Sequence, residues 1–565
     1  MWLSSLVLLA AASAADATPT PLEAALVTEL ERARGVLAGE EEPPHYLALA
    51  VTEVEQATVA ARDGAIAARG TDRYRYLDVD VRTGTPALDS THPLRGFSSL
   101  DGDDRDPVAV PLGDGFPLRH AIWREVDARY REAAEKIVML RANQQVLVEE
   151  ETVAPDFEPR TGAVDRAVVP PLELDEERIA GVLRDLSGRL DRAAGVHRSA
   201  ATLQASRTVT TFVDTEGARL AHGRRSYRIS VSVGATAPDG DEVEVYLSKD
   251  VHDPERLPDD ATLALWVDQA VAELAARVAA PRGDPYVGPV MLTGRAAAVF
   301  FHEVLGHRVE GQRQKREDEG KTFAQMVGKP VLPRFLDVYD DPTLRELAGE
   351  QLNGHYTWDD EGVRASRASI VEDGIFRGFL LYRSPLPGFA ESNGHGRRSV
   401  GNPAEARMGN TVIETSAPTP VRRLREQLLA EARKQGLRYA YVVDEIEGGF
   451  TMTGRVTPNA FNVRASTVWR VWVDGRPDEL VRGLDLVGTP LVAFENLVAA
   501  GDDPAVFNGV CGSDSGWVPV SGVAPSVLFS RLEFQLKEKG QDRPPLLPKP
   551  PPVDGVAATP AGGAR

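Results

Sequence analysis

Apolar positions along this chain recur with two different periods, and the switches between them mark out its elements. From Pro21 to Gly39 (PLEAALVTELERARGVLAG) the spacing is helical, with Glu and Arg on the outer face, which predicts a first helix. Tyr46 to Asp80 changes to apolar and β-branched stretches broken by Asp63-Gly64 and Arg69-Gly70, which predicts strands joined by tight turns. Residues 96–117 are Gly- and Asp-rich and read as a loop, Ile122 to Glu151 as a long amphipathic helix, and 152–172, with Pro170-Pro171, as a linker. The order then repeats. A helix is predicted from Glu176 to Ala194, strands from Thr208 to Ser248 turned at Pro238-Asp239-Gly240, and a helix from Ala261 to Val278.

After the break at Ala280 to Pro285, a Gly-rich unit runs to about Lys539. It holds β-branched stretches such as Ser466 to Val473, the turn Asp474-Gly475 and one clear helix from Pro420 to Gln435. The predicted class is α+β and multi-domain, with two α+β N-terminal units and a β-rich, Gly-containing C-terminal domain. The divisions are 1–15 signal peptide, 16–155 first unit, 156–285 middle unit, 286–540 C-terminal domain and 541–565 a Pro-rich tail expected to be disordered. The 565 residues support three or four domains of ordinary size.

Charge removes one class of partner. Lys+Arg 64 against Asp+Glu 84 gives a net charge of -20, which repels phosphate backbones, so nucleic acid is not an expected partner. The first residues carry an apolar run from Trp2 to Ala12 followed by Ala12-Ser13-Ala14, the pattern of a secretory signal peptide, although no Lys or Arg precedes the run. Cleavage there predicts a periplasmic or secreted protein; a chain that keeps the segment is cytoplasmic. The run is too short to span a bilayer, and no later stretch is apolar enough. An exported chain meets an oxidising compartment, yet this one has a single cysteine, Cys511.

The segment Leu292 to Gly311 carries the chemistry. Thr293 is placed to cap a helix whose Ala, Val and Phe residues mark it as buried nearly all round. Burying His302, Glu303 and His307 there is costly unless each is paired or bound to a cation. The spacing is H-E-x-x-x-H, one residue longer than the zincin H-E-x-x-H, and residues five apart lie about 140° around a regular helix. A π-bulge at Gly306 is expected to bring both imidazoles to one face, with Glu303 beside them as general base. Two satisfied core histidines are the competing reading. A catalytic zinc needs a third protein ligand, and Cys511, expected in a Gly-flanked turn (Asn508 to Ser513), supplies a thiolate. Imidazole and thiolate favour Zn²⁺ over magnesium or calcium.

These residues resemble the TldD/PmbA metallopeptidases, in particular the TldD branch. The resemblance rests on His302-Glu303-Val304-Leu305-Gly306-His307-Arg308-Val309-Glu310-Gly311, Asp359-Asp360-Glu361-Gly362 and Ser392-Asn393-Gly394-His395-Gly396-Arg397-Arg398. It continues through Arg407-Met408-Gly409-Asn410-Thr411 and Cys511-Gly512 with Val518-Pro519-Val520, in order across about half the chain. It implies a zinc peptidase with His302, His307 and Cys511 as ligands and Glu303 activating water. It also implies unfolded peptides or peptide precursors as substrates, bound as an added β-strand, and a homodimer or a heterodimer with a paralogue lacking the metal motif. Signal-peptide export departs from the cytoplasmic members, so their substrates do not carry over. The alternatives are a peptide-binding or assembly subunit with a structural metal, and a hydrolase of non-peptide amides. Asp360, Arg398, Asn410 and Glu310 stay outside the expected site, as turn formers, surface charges or supports. His355 and His395 read as structural or exposed.

Overall fold

The computed structural model describes residues 18–94, 106–144, 154–316, 319–455 and 460–538, with 545 and 547. The proposed signal segment lies outside them, as does nearly all of the Pro-rich tail.

Strand Pro44–Arg62 turns at Asp63 and Gly64, both with positive φ, into strand Ala65–Thr85, as the Asp-Gly signal requires. Arg69-Gly70 makes no turn: Gly70 sits in the strand opposite Thr58, and pairing across the hairpin carries the chain straight through it. Three long strands follow, Arg198–Asp214, Arg219–Thr236 and Glu242–Val251, the second and third each antiparallel to the one before and the first beginning ten residues before its predicted start. Pro44–Arg62 also pairs antiparallel with Arg198–Asp214, so both N-terminal α+β units share one eight-stranded sheet.

Alternation along Pro44–Arg62 assigns its two faces. Leu47, Leu49 and Val51 pack under helices Pro21–Leu37 and Phe116–Gln144, and Val59 and Ala61 under helices Glu176–Arg192 and Asp260–Ala279. Tyr46, Ala48 and Ala50 meet Phe157, Phe212, Leu220 and, from the C-terminal part, Trp358. Helix Phe116–Gln144 starts six residues before the predicted Ile122, and the predicted end at Glu151 lies outside the described residues. The helix predicted at Pro420 to Gln435 runs Val421–Lys434.

The C-terminal part holds two large sheets with one helix between them, besides two two-stranded pairs. The first runs in the order Ile375–Phe376, Ala368–Glu372, Leu336–Asp340, Asn410–Thr415, Gly516–Ala524 and Ala505–Ser513, the last being an edge. The second, eight-stranded, includes Tyr286–Leu292, Tyr439–Thr451, Phe461–Trp472 and Val527–Leu536. Helix Gly294–Val304 is buried at every residue except Arg295. Phe300 packs edge-on against Phe461, Phe494 and Phe529, and Phe301 stacks on Phe494. Fully burying a phenylalanine contributes about 1.5–3 kcal/mol, so these rings hold the helix as a rigid strut. The architecture is α+β and multi-domain. Among the described residues no helix is long and apolar enough to cross a membrane.

Candidate metal centre

Thr293 stands at the N-cap of the strut, but its hydroxyl donates to the Asp444 carbonyl of the neighbouring sheet (2.9 Å) instead of capping the helix. The helix ends at Val304, where Arg308 donates to the carbonyls of Glu303 and Val304 (both 3.2 Å) and satisfies backbone acceptors that the next turn would otherwise have used. Gly306–Val309 then forms a 3-10 turn. No π-bulge is present; the α-helix ends before the second histidine, and a separate 3-10 turn carries His307. Gly306 is required for space: a Cβ there would sit 2.0 Å from Met408 Sδ.

The turn brings His302 and His307 together with ring centroids 5.1 Å apart and planes at 81°. Cys511 completes the group. His302 Nε2 lies 3.2 Å from its Sγ and His307 Nε2 3.4 Å from it, and one ligand atom from each residue lies within 4.8 Å of the others. Cys511 is not in a turn but in the edge strand Ala505–Ser513, opposite Val518, with its side chain buried. Its glycine neighbours serve rings: a Cβ on Gly509 would strike Phe507, and one on Gly512 the Trp517 indole.

Glu303 is buried beside them, and its charge acts on His302 and on Arg308. A Cβ on Gly449, in strand Tyr439–Thr451, would come within 3.2 Å of Glu303 Cγ, so that glycine leaves the carboxylate room. Glu310, which sequence reasoning left between ligand support and surface charge, is 0% exposed. Its Oε2 meets His307 Nδ1 at 3.3 Å and accepts from Arg313 Nε at 3.0 Å. His302 has no such support: its Nδ1 is buried without a hydrogen-bond partner among the described residues.

Charge in the group is strongly redistributed. Burial opposes protonation of His307, but Cys511 and Glu310 outweigh it and push its pKa up to about 10. Burial likewise opposes ionisation of Cys511, and the two imidazoles nevertheless hold the thiol well below its usual range. Despite burial, His307 and Arg313 hold Glu310 down at about 2. These shifts describe an imidazolium–thiolate arrangement, and a cation bound among those atoms would displace the imidazole protons. The spacing fits such a cation: a tetrahedral zinc with Zn–N near 2.0–2.1 Å and Zn–S near 2.3 Å sets its N and S ligands about 3.5 Å apart.

The residues kept out of the expected site have structural partners. Asp360 accepts the Arg398 amide, Asn410 donates to the carbonyls of Asp341 and Leu344, His395 is buried against Asp340 and Asn393, and His355 meets the Pro342 carbonyl. One residue at the centre was missed. Arg407, also 0% exposed, places Nη2 3.2 Å from Cys511 Sγ. It opens the Arg407 to Thr411 motif, but only the pairing of distant strands reveals its contact with sulfur.

Residues 285–536 match the PmbA/TldA metallopeptidase C-terminal domain, a span holding the helix, the 3-10 turn and the cysteine strand. Over that span the chain carries the C-terminal domain of the TldD/PmbA family. The chain is 30% identical over 266 residues to a metalloprotease of Archaeoglobus fulgidus, covering 47% of this chain and 56% of that one. It is 27% identical over 274 residues to the metalloprotease TldD homolog of Haemophilus influenzae, covering 47% and 51%. It is 24% identical over 275 residues to the zinc metalloprotease TldD homolog of Saccharolobus solfataricus, covering 47% and 56%. The chain thus spans about half the length of the curated relatives it matches. The TldD/PmbA fold extends further than this similarity: TldE of Thermococcus kodakarensis superposes with a TM-score of 0.55 at 14% identity, over 90% of this chain and 99% of that one. A Thermotoga maritima protein does so with a TM-score of 0.57 at 13% identity, over 90% and 100%.

Proposed function

We propose that this chain is a zinc-dependent peptidase hydrolysing unfolded peptides or peptide precursors, with His302, His307 and Cys511 as metal ligands and Glu303 as general base. The observation that carries the reading is the convergence of two Nε2 atoms and one Sγ at ligand spacing, with the buried Glu303 next to His302 on the same helix. Zinc, when bound, supplies a Lewis acid and lowers the pKa of water in its open position.

The chain's own residues supply the rest. Glu310 engages His307 Nδ1 and so leaves Nε2 facing Cys511 and the centre. Glu303 takes a proton from the attacking water and returns it to the leaving amine, a role open to a buried carboxylate beside the metal ligands. A purely structural zinc would fill its fourth position with a protein donor and would not need Glu303. Pairing with a second copy or with a paralogue lacking the metal motif belongs to this reading, as does export if residues 1–15 are cleaved.

Glu303→Gln tests the central role. The variant is expected to keep its zinc and lose at least about 100-fold in turnover of an unstructured peptide, in line with loss of a general base. Full turnover by the zinc-loaded variant overturns the role assigned to Glu303.

A further inference from the structure

Arg407 is buried completely; both of its Nη nitrogens are hydrogen-bonded, while Nε has no hydrogen-bond partner among the described residues. A guanidinium has five N–H groups in a fixed plane. Nη2 donates to Cys511 Sγ (3.2 Å) and to the Cys511 carbonyl (2.8 Å). Nη1 donates to Ser515 Oγ (2.8 Å) and the Gly516 carbonyl (2.9 Å), in the turn joining the cysteine strand to its partner Gly516–Ala524. Nε faces Glu310 Oε1 at 3.3 Å as an ion pair. Four of these five contacts fix the sulfur, its backbone and the turn beyond it; the fifth reaches the carboxylate that orients His307.

The contacts close a ring. From Cys511 Sγ the path runs through Arg407 to Glu310, across to His307 Nδ1, and from His307 Nε2 back to the sulfur. An arginine that only stapled two strands would be served by carbonyls, which are better acceptors than a neutral thiol. A donor spent on sulfur gains most when the sulfur carries negative charge, as it does when it ligates a metal. We propose that Arg407 is a positioning residue for the metal centre: it pins the Cys511 side chain between the two imidazoles and shares the charge of the ligating sulfur, and Glu310 couples that clamp to His307. The inference rests on the zinc reading of the site and adds to it a residue that touches neither substrate nor metal.

The test uses the full chain and reads metal binding, not peptide turnover. Zinc affinity is measured by competition with a chromophoric chelator for wild type, Arg407→Met, Arg407→Lys and Glu310→Gln, each checked for folding by circular dichroism and thermal melting. Both Arg407 variants are expected to bind zinc 10–100-fold more weakly, the usual cost of losing a group that orients a ligand. Cobalt substitution supplies a signature that a merely structural role would not move. Removing the hydrogen bond to sulfur raises the energy of its lone pairs, so the thiolate-to-cobalt charge-transfer band shifts to lower energy in Arg407→Met. Glu310→Gln is expected to weaken affinity with a smaller band shift, because the guanidinium stays on the sulfur. If Arg407→Met does not fold, Arg407→Lys decides: it keeps a positive charge opposite Glu310, and one ammonium cannot serve sulfur, carbonyl and turn together. Wild-type affinity and an unmoved band in a folded Arg407 variant overturn the proposal. A wild-type chain that takes up no zinc fails at the earlier step and removes the metal-centre reading, and this one with it.

Discussion

The two walls of the centre are built in opposite ways. One is a single stretch of chain, from Gly294 through the 3-10 turn to Glu310, which carries His302, Glu303, His307 and the carboxylate behind His307. The other is assembled from segments far apart: Cys511 on an edge strand, Arg407 from the approach to Asn410–Thr415, and Gly449 from the second sheet. The first wall is held by aromatic packing of the strut, the second by strand register and one buried guanidinium. Local sequence therefore specifies which groups the first wall offers, whereas only the completed fold puts a sulfur opposite them.

The largest expected effect tests whether the walls contribute equally. Cys511→Ala and His302→Ala should each lower zinc affinity by more than about 100-fold, because either change leaves two protein ligands where a catalytic zinc keeps three. Chelator competition on the two variants measures this, and near-wild-type affinity in Cys511→Ala reduces the second wall to packing.

A smaller effect concerns the join between the walls. Gly306→Ala forces a methyl against Met408 Sδ and is expected to destabilise the fold by about 1–3 kcal/mol. Combined with Met408→Ala, the loss in denaturant melts should be less than the sum of the two single losses, since each change removes the other's clash or cavity. Strict additivity would mean that the close approach does not constrain the turn.

An effect of similar size comes from Glu405, a buried carboxyl paired with Arg316. Burial pushes Glu405 up to about 7, with Arg316 pulling the other way. A carboxyl whose folded pKa is raised contributes stability that is complete below its unfolded value near 4.5 and is lost as pH rises through about 7. Wild type should therefore lose roughly 1–3 kcal/mol across that window relative to Glu405→Gln, which lacks the titration. Thermal melts of both from pH 4.5 to 8 check the sign.

What the sequence made legible follows the same division. His302, Glu303 and His307 could be read because a buried helix with charges at fixed spacing is a local pattern, although Arg308 closes the helix and a 3-10 turn, not a π-bulge, delivers His307. Glycine was the main source of error. Gly509 and Gly512 suggested a turn around Cys511 but make room for Phe507 and Trp517 in a strand, and Gly70 suggested a second turn where strand pairing runs straight through. The joining of both N-terminal units through Pro44–Arg62 and Arg198–Asp214 depends on strands about 150 residues apart, and no local period encodes it. Arg407 escaped for the same reason, since its meaning lies in a residue 104 positions away.

The central claim is that one sulfur and two imidazole nitrogens of this chain hold a single zinc, and X-ray absorption at the zinc edge of the purified chain tests it most directly. The account predicts about one zinc per chain with one sulfur near 2.3 Å and imidazole nitrogens near 2.0–2.1 Å. A folded chain that takes up no zinc when supplied with it, or a zinc surrounded only by nitrogen and oxygen, would contradict it.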